Sequence, residues 1–362
     1  MIDIPHIVEI FQIWPIIGLV VALGLVLMSS IFIEGRASKY FLLAVVWIGL
    51  GVAILSAVKL FSLTNIPTAV RDTQELFATN LISGSIIFDK IFLFMTVFLS
   101  VFLGGVLVLS VSLWRKPAWE WPVYLCLLLG SLVGMILLSS TRHMIFFAVA
   151  FELASMPSYV LVGFRKFNAK SAEGSAKYVV FGAVASAIMM YGISLLYGLT
   201  GSFDFQEIAL SLSGGEVQVT KMMALVCLLV GVAFKISLVP AHFWCPDAFE
   251  AAGADVGAWL SVASKSAAIV ALARFVQFLT LSGNDQFNHY VVLALTVLAI
   301  VTMTVANLSA YWQTSVKRLL AYSSIAHAGY IVCGLAVISG TAGLGAVIAY
   351  ILVYLLDRKS VV

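Results

Sequence analysis

The chain has 362 residues, of which 62% are hydrophobic and 10% are charged, and its mean hydropathy is +1.10. Because soluble domains carry about 25% charged residues, this composition excludes a soluble domain and predicts an all-α polytopic membrane protein. The formal net charge of +3 comes from basic residues scattered singly or in pairs through short loops, so the charge does not indicate nucleic-acid binding.

A membrane-spanning helix needs about 20 mostly apolar residues, and we count eleven such runs, which predicts about 11 transmembrane helices. They are residues 13–33, 40–61, 91–114, 121–140, 143–164, 176–199, 222–239, 257–279, 290–310, 319–338 and 344–356. No Lys or Arg precedes Arg36, so the first run is taken as a span rather than a signal peptide. Loops after odd-numbered runs carry more Lys and Arg than the others, which predicts an N-terminus outside the cytoplasm.

The four cysteines form no CxxC motif and lie in or beside apolar runs; they are Cys126, Cys227, Cys245 and Cys333. We expect all four to be small buried hydrophobic residues. The same pattern argues against an iron–sulfur cluster or a zinc site in this chain.

A lysine and a proline interrupt the seventh run. Lys235 lies deep in apolar sequence, where a charged side chain costs about 2.5–3.5 kcal/mol on insertion scales. Five residues later, Pro240 removes a backbone N–H, and its ring clashes with the carbonyl of Ile236. This pattern predicts a broken helix of the kind that forms ion sites in transporters. The alternative is a lysine near the end of its helix that reaches the headgroups.

Glu152 lies near the middle of the fifth run, and Pro157 follows it in the same run. A lone buried carboxylate is costly, so we expect Glu152 to be protonated or to have a cationic partner, and to take part in proton transfer. The alternative is a neutral glutamic acid bonded to a backbone carbonyl.

Lys265 lies near the centre of the eighth run, among alanines and serines that let neighbouring helices or water approach closely. Desolvation favours the neutral form of an amine, so a lysine in this position can exchange a proton. The alternative is a static ion pair that fixes helix packing.

Three further residues are weaker candidates for the same relay. His327 lies in the middle of the tenth run, where an imidazole suits a proton relay and a packing role equally well. His242 follows Pro240 and either lines the break or caps it. Lys177 lies near the start of the sixth run, where it is either functional or snorkels to the surface.

One acid and two amines lie deep in nearby runs, and together they favour a functional role more strongly than any one of the three residues does alone. Three unpaired buried charges would cost roughly 9 kcal/mol, whereas a Glu–Lys pair at ~4 Å recovers about 4 kcal/mol at an effective dielectric of ~20. Since such a pair is tolerable but not obviously stabilising, a functional task is favoured. An acid and a base whose protonation states depend on each other form a switch.

Four ordered motifs resemble the antiporter-like membrane subunits of complex I, and among these the chain is most similar to subunit N of bacterial proton-pumping NADH:quinone oxidoreductase. The motifs are FELASMPSYVLVGF, SAKYVVFGAVASA with LLYGLTGSFDF, GVAFKISLVPAHFWCPDAFEAAGADVGAWLSVASKSAA and QTSVKRLLAYSSIAHAGY. The similarity begins near Phe147 and continues to the end of the tenth run, with a weaker match through the N-terminal runs.

The resemblance implies a proton-translocating subunit with an antiporter-like fold of two inverted five-helix repeats, each with one broken helix. Residues 1–120 would form helices 1–3, residues 121–280 the first repeat with its break near Pro240, and residues 290–362 the start of the second repeat. By position, Glu152, Lys235 and Lys265 match the glutamate and the two lysines whose interaction is thought to couple to quinone reduction elsewhere.

The resemblance also implies which molecules the chain works with. It implies no cofactor or metal in this chain, with NADH, FMN, iron–sulfur clusters and quinone in partner subunits. The expected partners are other membrane subunits of complex I, lipids and protons, in the bacterial inner membrane.

The match fails at DRKSVV, around the eleventh helix, whereas the family continues further. We therefore expect an incomplete second repeat and a sequence that is a fragment of a longer subunit. Two alternatives to a complex I subunit remain: a subunit of a multisubunit cation/proton antiporter, which shares these helices, and a non-transporting membrane scaffold whose buried charges serve packing.

Overall fold

The computed structural model describes residues 4–32, 36–64, 85–113, 120–165, 168–213, 219–281, 285–336 and 341–359. Residues 33, 114 and 337–338 of the predicted spans lie outside these ranges. The helices are α1 (Ile4–Phe32), α2 (Arg36–Thr64), α3 (Lys90–Leu113), α4 (Trp121–Ser140), α5 (Met144–Val162), α6 (Ala169–Thr200), α7 (Phe205–Ser213), α8 (Val219–Ile236), α9 (Trp244–Ala251), α10 (Ala254–Trp259), α11 (Lys265–Leu281), α12 (Asp285–Tyr311), α13 (Val316–Ala336) and α14 (Thr341–Lys359).

Within the described ranges the chain forms helices and two isolated β-bridges, so the all-α fold class is confirmed. In these ranges nine helices are long and apolar enough to cross a membrane, and two apolar helical segments, Ile13–Ser29 and Gly345–Leu355, are shorter. The chain is therefore a multi-pass membrane protein, and the count of eleven spans stays a prediction.

The first of two compact units comprises Met1–Thr141 and Val149–Leu161. It contains α1 to α4 and the central part of α5. A Cβ atom on Gly134 would lie 2.5 Å from the backbone N of Ala154, so α4 and α5 touch backbone to backbone at this point. Small residues allow this close approach, which is how membrane helices gain packing contacts without a hydrophobic driving force.

The second unit comprises Arg142–Ala148 and Val162–Val362. In this unit α6 packs against α8 and α9, and α12 packs against α13. One π-helical turn, Leu260–Ser264, joins α10 to α11. Every residue from 259 to 276 is buried, so this helix lies in the interior of the unit.

Two expectations about individual positions are corrected. Of the four cysteines only Cys245 is buried; Cys126 and Cys227 are half-buried, and Cys333 is exposed. A residue in an apolar run can face lipid as readily as protein, so hydropathy does not indicate which side it takes. In addition, α8 ends at Ile236 rather than at residue 239, because the chain turns before Pro240.

Candidate functional site

The six candidate residues are distributed over both compact units. Glu152 belongs to the first unit. The second unit contains Lys177, Lys235, His242, Lys265 and His327. The geometry of each unit is described on its own below.

Hydrogen bonds between side chains and the backbone stabilise the break between α8 and α9. The indole Nε1 of Trp244 donates to the carbonyl of Phe234 at 2.9 Å, which satisfies one of the last carbonyls of α8. The backbone N–H of Val239 donates to Oγ1 of Thr302 at 3.0 Å. Ser237 has a φ of 67°, a left-handed conformation that costs about 1–3 kcal/mol for a residue other than glycine. Backbone groups freed in the break thus find partners inside the protein, as membrane depth requires.

Lys235 lies in the last turn of α8, one residue before the break. Its side chain is fully buried within the chain, whereas a snorkelling lysine keeps its ammonium group in water. The C-terminal turn of a helix carries partial negative charge, which favours a cation at this position.

Lys265 is the first residue of α11 and follows the π-helical turn directly. Such turns are frequent at functional sites because they reorient side chains locally. Lys265 is buried, and its Nζ donates to Oγ of Ser324 at 2.7 Å. Two residues of α9 also lie near this group: Sγ of Cys245 is 4.0 Å from Nζ, and the ring centroid of Phe249 is 6.0 Å away.

His327 lies one turn beyond Ser324 on the same face of α13. Its Nδ1 is 3.0 Å from the hydroxyl of Tyr350 on α14. Because residues three apart share a helix face, Lys265, Ser324, His327 and Tyr350 form a series of polar groups that crosses three helices. We name these four residues the Lys265 series.

His242 lies in the turn that precedes α9 and is 6% exposed. Its carbonyl accepts a hydrogen bond of 3.0 Å from the backbone N of Cys245, so its backbone takes part in the start of α9. Its ring packs against that of Phe243, with the centroids 4.5 Å apart.

Lys177 belongs to a network of six charged residues at one end of α6, α9 and α13. Lys177 contacts Glu173 at 2.7 Å and Asp247 at 2.9 Å. Arg318 contacts Asp247 at 2.8 Å and Glu250 at 3.2 Å, and Lys170 contacts Glu250 at 3.2 Å. The members, which we name the α9 ion network, are Lys170, Glu173, Lys177, Asp247, Glu250 and Arg318.

The α9 ion network lines a cavity of about 240 Å³. The cations Arg318 and Lys170 hold the pKa of the Glu250 carboxyl below its usual range. Since the carboxylate form is the one that these cations bind, the ion pairs of Glu250 persist at neutral pH and weaken only as the pH falls through that lowered pKa.

Glu152 lies half-buried on α5, which contains Pro157. Its carboxyl group is near enough to Tyr159 to act electrostatically on that hydroxyl. Residues seven apart lie two turns along the same face of a helix, so the first unit presents an acid and a phenol on one side of α5.

In the parts of the chain that the structure describes, no three His, Cys, Asp or Glu side chains lie close enough together to hold a metal ion.

Sequence reasoning did not single out several residues at the site, among them Ser324, Tyr350, Asp247 and Arg318. For two of these residues, the sequence contains a pattern that could have predicted their place at the site. Ser324 precedes His327 by three residues in SSIAH, so the two share a helix face. Asp247 lies in the first turn of α9, in the segment WCPD that follows the break.

Comparison with known proteins extends these observations. The family model described as "NADH:quinone oxidoreductase/Mrp antiporter, TM" matches residues 139–362. The chain is 36% identical to NAD(P)H-quinone oxidoreductase subunit 2 of Thermosynechococcus vestitus over 93% of its length and 62% of that protein. It is 39% identical to NADH-quinone oxidoreductase subunit N of Rubrobacter xylanophilus over 68% of its length and 51% of that protein.

Among solved structures, a chain of respiratory complex I from Thermus thermophilus with bound aureothin matches with a TM-score of 0.71 and 29% identity. The match covers 93% of this chain and 68% of the other. The chain thus spans between about half and three fifths of the length of the two curated relatives. The antiporter-like fold and the resemblance to complex I subunits are confirmed: the chain belongs to the NADH:quinone oxidoreductase/Mrp antiporter transmembrane family.

Proposed function

We propose that this chain is a proton-translocating membrane subunit of a respiratory NADH:quinone oxidoreductase, in which Glu152, Lys235 and Lys265 pass protons and His327, His242 and Lys177 assist. The chain carries out no redox chemistry itself. Electrons reach quinone through NADH, FMN and iron–sulfur clusters in partner subunits, and the complex lies in a bacterial inner membrane.

The observation that carries the proposal is the buried Lys265 ammonium and its 2.7 Å hydrogen bond to Ser324. A packing role alone would be filled at lower cost by a small polar residue, because a buried cation keeps its desolvation penalty. A lysine held by a hydroxyl, with an imidazole and a phenol one turn further along, can instead hold a proton and exchange it.

Glu152 and Lys235 extend the relay in this proposal. Each lies in an apolar helix, and in each case a proline follows five residues later, as in the broken and kinked helices that form ion sites in transporters. The family resemblance is the basis for a first repeat over residues 121–280 and a second repeat that starts near residue 290, and the excess of Lys and Arg in loops after odd-numbered runs is the basis for an N-terminus outside the cytoplasm.

A subunit of a multisubunit cation/proton antiporter is the second candidate, because the description of the matching family names Mrp antiporters beside the quinone oxidoreductases. The names of the two curated relatives favour the quinone oxidoreductase. The two candidates differ in their driving reaction: the first requires quinone reduction, and the second exchanges a cation for protons without it.

The test is to replace Lys235 by alanine, and separately Lys265 by alanine, in the full-length subunit within the intact complex. We expect assembled complex in near-normal amount and proton translocation reduced at least tenfold, measured by pH-sensitive dye quenching in inverted vesicles that are energised with NADH. Lys59→Ala is the matched control, because Lys59 is an exposed lysine of α2. If electron transfer and translocation both survive at full rate in the Lys235 and Lys265 variants, the chain is a scaffold and the proposal is wrong.

A further inference from the structure

The short helix α9 presents two functionally different faces. Cys245 and Phe249, four residues apart, lie on the face that contacts Lys265. Asp247 and Glu250, three residues apart, lie on a face that contacts the cations of α6 and α13. A helix of eight residues has about two turns, so a movement of one face necessarily moves the other.

Asp247 joins both neighbouring helices to α9, as Glu250 also does through longer contacts of 3.2 Å. Its Oδ2 accepts from Nζ of Lys177 on α6 at 2.9 Å, and its Oδ1 accepts from NH1 of Arg318 on α13 at 2.8 Å. Both distances are typical of charge-assisted hydrogen bonds, which are about twice as strong as neutral ones. Arg318 is itself oriented, since its Nε donates to Oε1 of Gln313 at 3.1 Å.

The C-terminal end of α9 is fixed by the same two helices. Nζ of Lys317 on α13 donates to the carbonyl of Ala252 at 2.7 Å and to that of Glu250 at 3.3 Å, so a cation caps the carbonyl end of α9. On α6, a Cβ atom on Gly174 would lie 2.9 Å from the carbonyl oxygen of Asp247, so the two backbones are in direct contact.

The N-terminal end of α9 adjoins the break, where the chain is not continuous helix. Trp244 links this end to α8 through its hydrogen bond to Phe234, and its ring stacks on Tyr178 with the centroids 4.1 Å apart. The position of α9 is therefore set by side-chain contacts, and Asp247 makes the shorter of the two ionic bridges that reach both α6 and α13.

We propose that Asp247 is a positioning residue: by bridging Lys177 and Arg318 it fixes α9 so that Cys245 and Phe249 stay packed against the ammonium of Lys265 at which the proposed proton transfer occurs. This inference rests on the proposed function for its consequence on transport. The placement of α9 itself does not depend on that function.

The test uses the full-length subunit in the intact complex, with Cys126, Cys227 and Cys333 replaced by serine so that Cys245 is the labelled thiol of the subunit. Asp247→Asn keeps the shape of the side chain and removes its charge. We expect N-ethylmaleimide to label Cys245 on the order of tenfold faster, because α9 is no longer held, and proton translocation per assembled complex to fall on the order of tenfold, a coupling in the range seen for residues in one network. Asp247→Glu restores the charge, so the labelling rate and the translocation rate should both return most of the way to the parent values.

Glu207→Gln is the matched control, because it removes an exposed carboxylate of α7 that lies outside the α9 ion network. We expect the labelling of Cys245 and the translocation rate to match those of the parent. If Asp247→Asn does not accumulate in the membrane, Arg318→Gln replaces it, because Arg318 is the other end of the same bridge. We expect the same increase in Cys245 labelling and the same fall in translocation.

Two outcomes overturn the inference. Unchanged labelling of Cys245 means that Asp247 does not hold α9, and faster labelling with unchanged translocation means that the position of α9 does not act on Lys265. A failure of the proposed function is recognised separately, because Lys265→Ala would then leave translocation intact whatever the labelling of Cys245 shows.

Discussion

Lys265 and Ser324 are joined by a hydrogen bond of 2.7 Å between α11 and α13. The hydroxyl of Ser324 also donates to the carbonyl of Ala321 at 2.9 Å. A serine hydroxyl has one proton to donate and two lone pairs, so the proton is committed to its own helix and a lone pair faces the ammonium. Ser324 therefore accepts the hydrogen bond from Lys265 rather than donating one to it.

Replacement of Ser324 by alanine should disturb the protonated state of Lys265. A hydrogen bond to a charged group contributes about 1.5–3 kcal/mol, so we expect Ser324→Ala to lower proton translocation per assembled complex several-fold. Ser324→Thr keeps the hydroxyl and should retain most of the activity. The control is Ser323→Ala, at the half-buried neighbouring position, which a helix places about 100° around the axis. Equal effects of the Ser323 and Ser324 alanine variants would contradict the role assigned to Ser324.

Trp244→Phe should destabilise the break between α8 and α9. Phenylalanine retains an aromatic ring to stack on Tyr178 but cannot donate to the carbonyl of Phe234, which is left without its indole donor. An unsatisfied buried acceptor costs about 1–3 kcal/mol, which should appear as a lower Tm of the purified complex in detergent. The same change at Trp312, which is 86% exposed, should leave the Tm unchanged and controls for the loss of an indole as such. An equal Tm for both variants would rule out the capping role of Trp244.

The helices could be predicted from the sequence because a run of about 20 apolar residues in a bilayer has one stable backbone arrangement. The position of Lys265 near the centre of a membrane span follows from the same reasoning, since both flanks of its run are apolar. The apolar run predicts that α8 ends at residue 239, three residues beyond its observed end at Ile236. The steric and hydrogen-bonding effects of Pro240 extend upstream, and the left-handed Ser237 sets the turn before the proline is reached.

The contacts between helices could not be predicted from one sequence. Lys177 and Asp247 are 70 residues apart, and Asp247 and Arg318 are 71 apart, so nothing local marks them as partners. The π-helical turn before Lys265 has no composition of its own, because LSVAS suits an α-helix equally well. The sequence does not indicate that Cys333 is exposed, because lipid and the protein interior select the same residue types.

Glu152→Gln should lower proton translocation more than it lowers assembly. Glutamine keeps the size of the side chain but removes its charge and its ability to titrate, so a residue that only fills space would tolerate the change. We expect a translocation rate per assembled complex reduced about tenfold or more, within the usual effect of removing a proton-transfer group. Glu207→Gln on the amphipathic helix α7 is the control, because Glu207 is exposed. Loss of assembled complex with normal translocation in the remainder would argue for a structural role of Glu152.

Gly192 allows α6 and α8, the helices that carry Lys177 and Lys235, to pack in direct contact. A Cβ atom at this position would lie 2.7 Å from the backbone N of Leu228 and 2.8 Å from the carbonyl oxygen of Ala224. Because backbone atoms cannot rotate away, Gly192→Ala must push the two helices apart, and overpacking of this kind costs about 1–3 kcal/mol.

Gly198→Ala on the same helix is the matched change, because a Cβ there meets nothing within 4 Å in the described structure and alanine favours the helix by up to about 1 kcal/mol. We therefore expect Gly192→Ala to lower the Tm of the purified complex and Gly198→Ala to leave it equal or slightly higher. If both variants have the same Tm, the close approach of α6 and α8 at Gly192 does not limit stability. A lower Tm at Gly192 with normal translocation would show that the spacing of these helices matters for stability and not for Lys235.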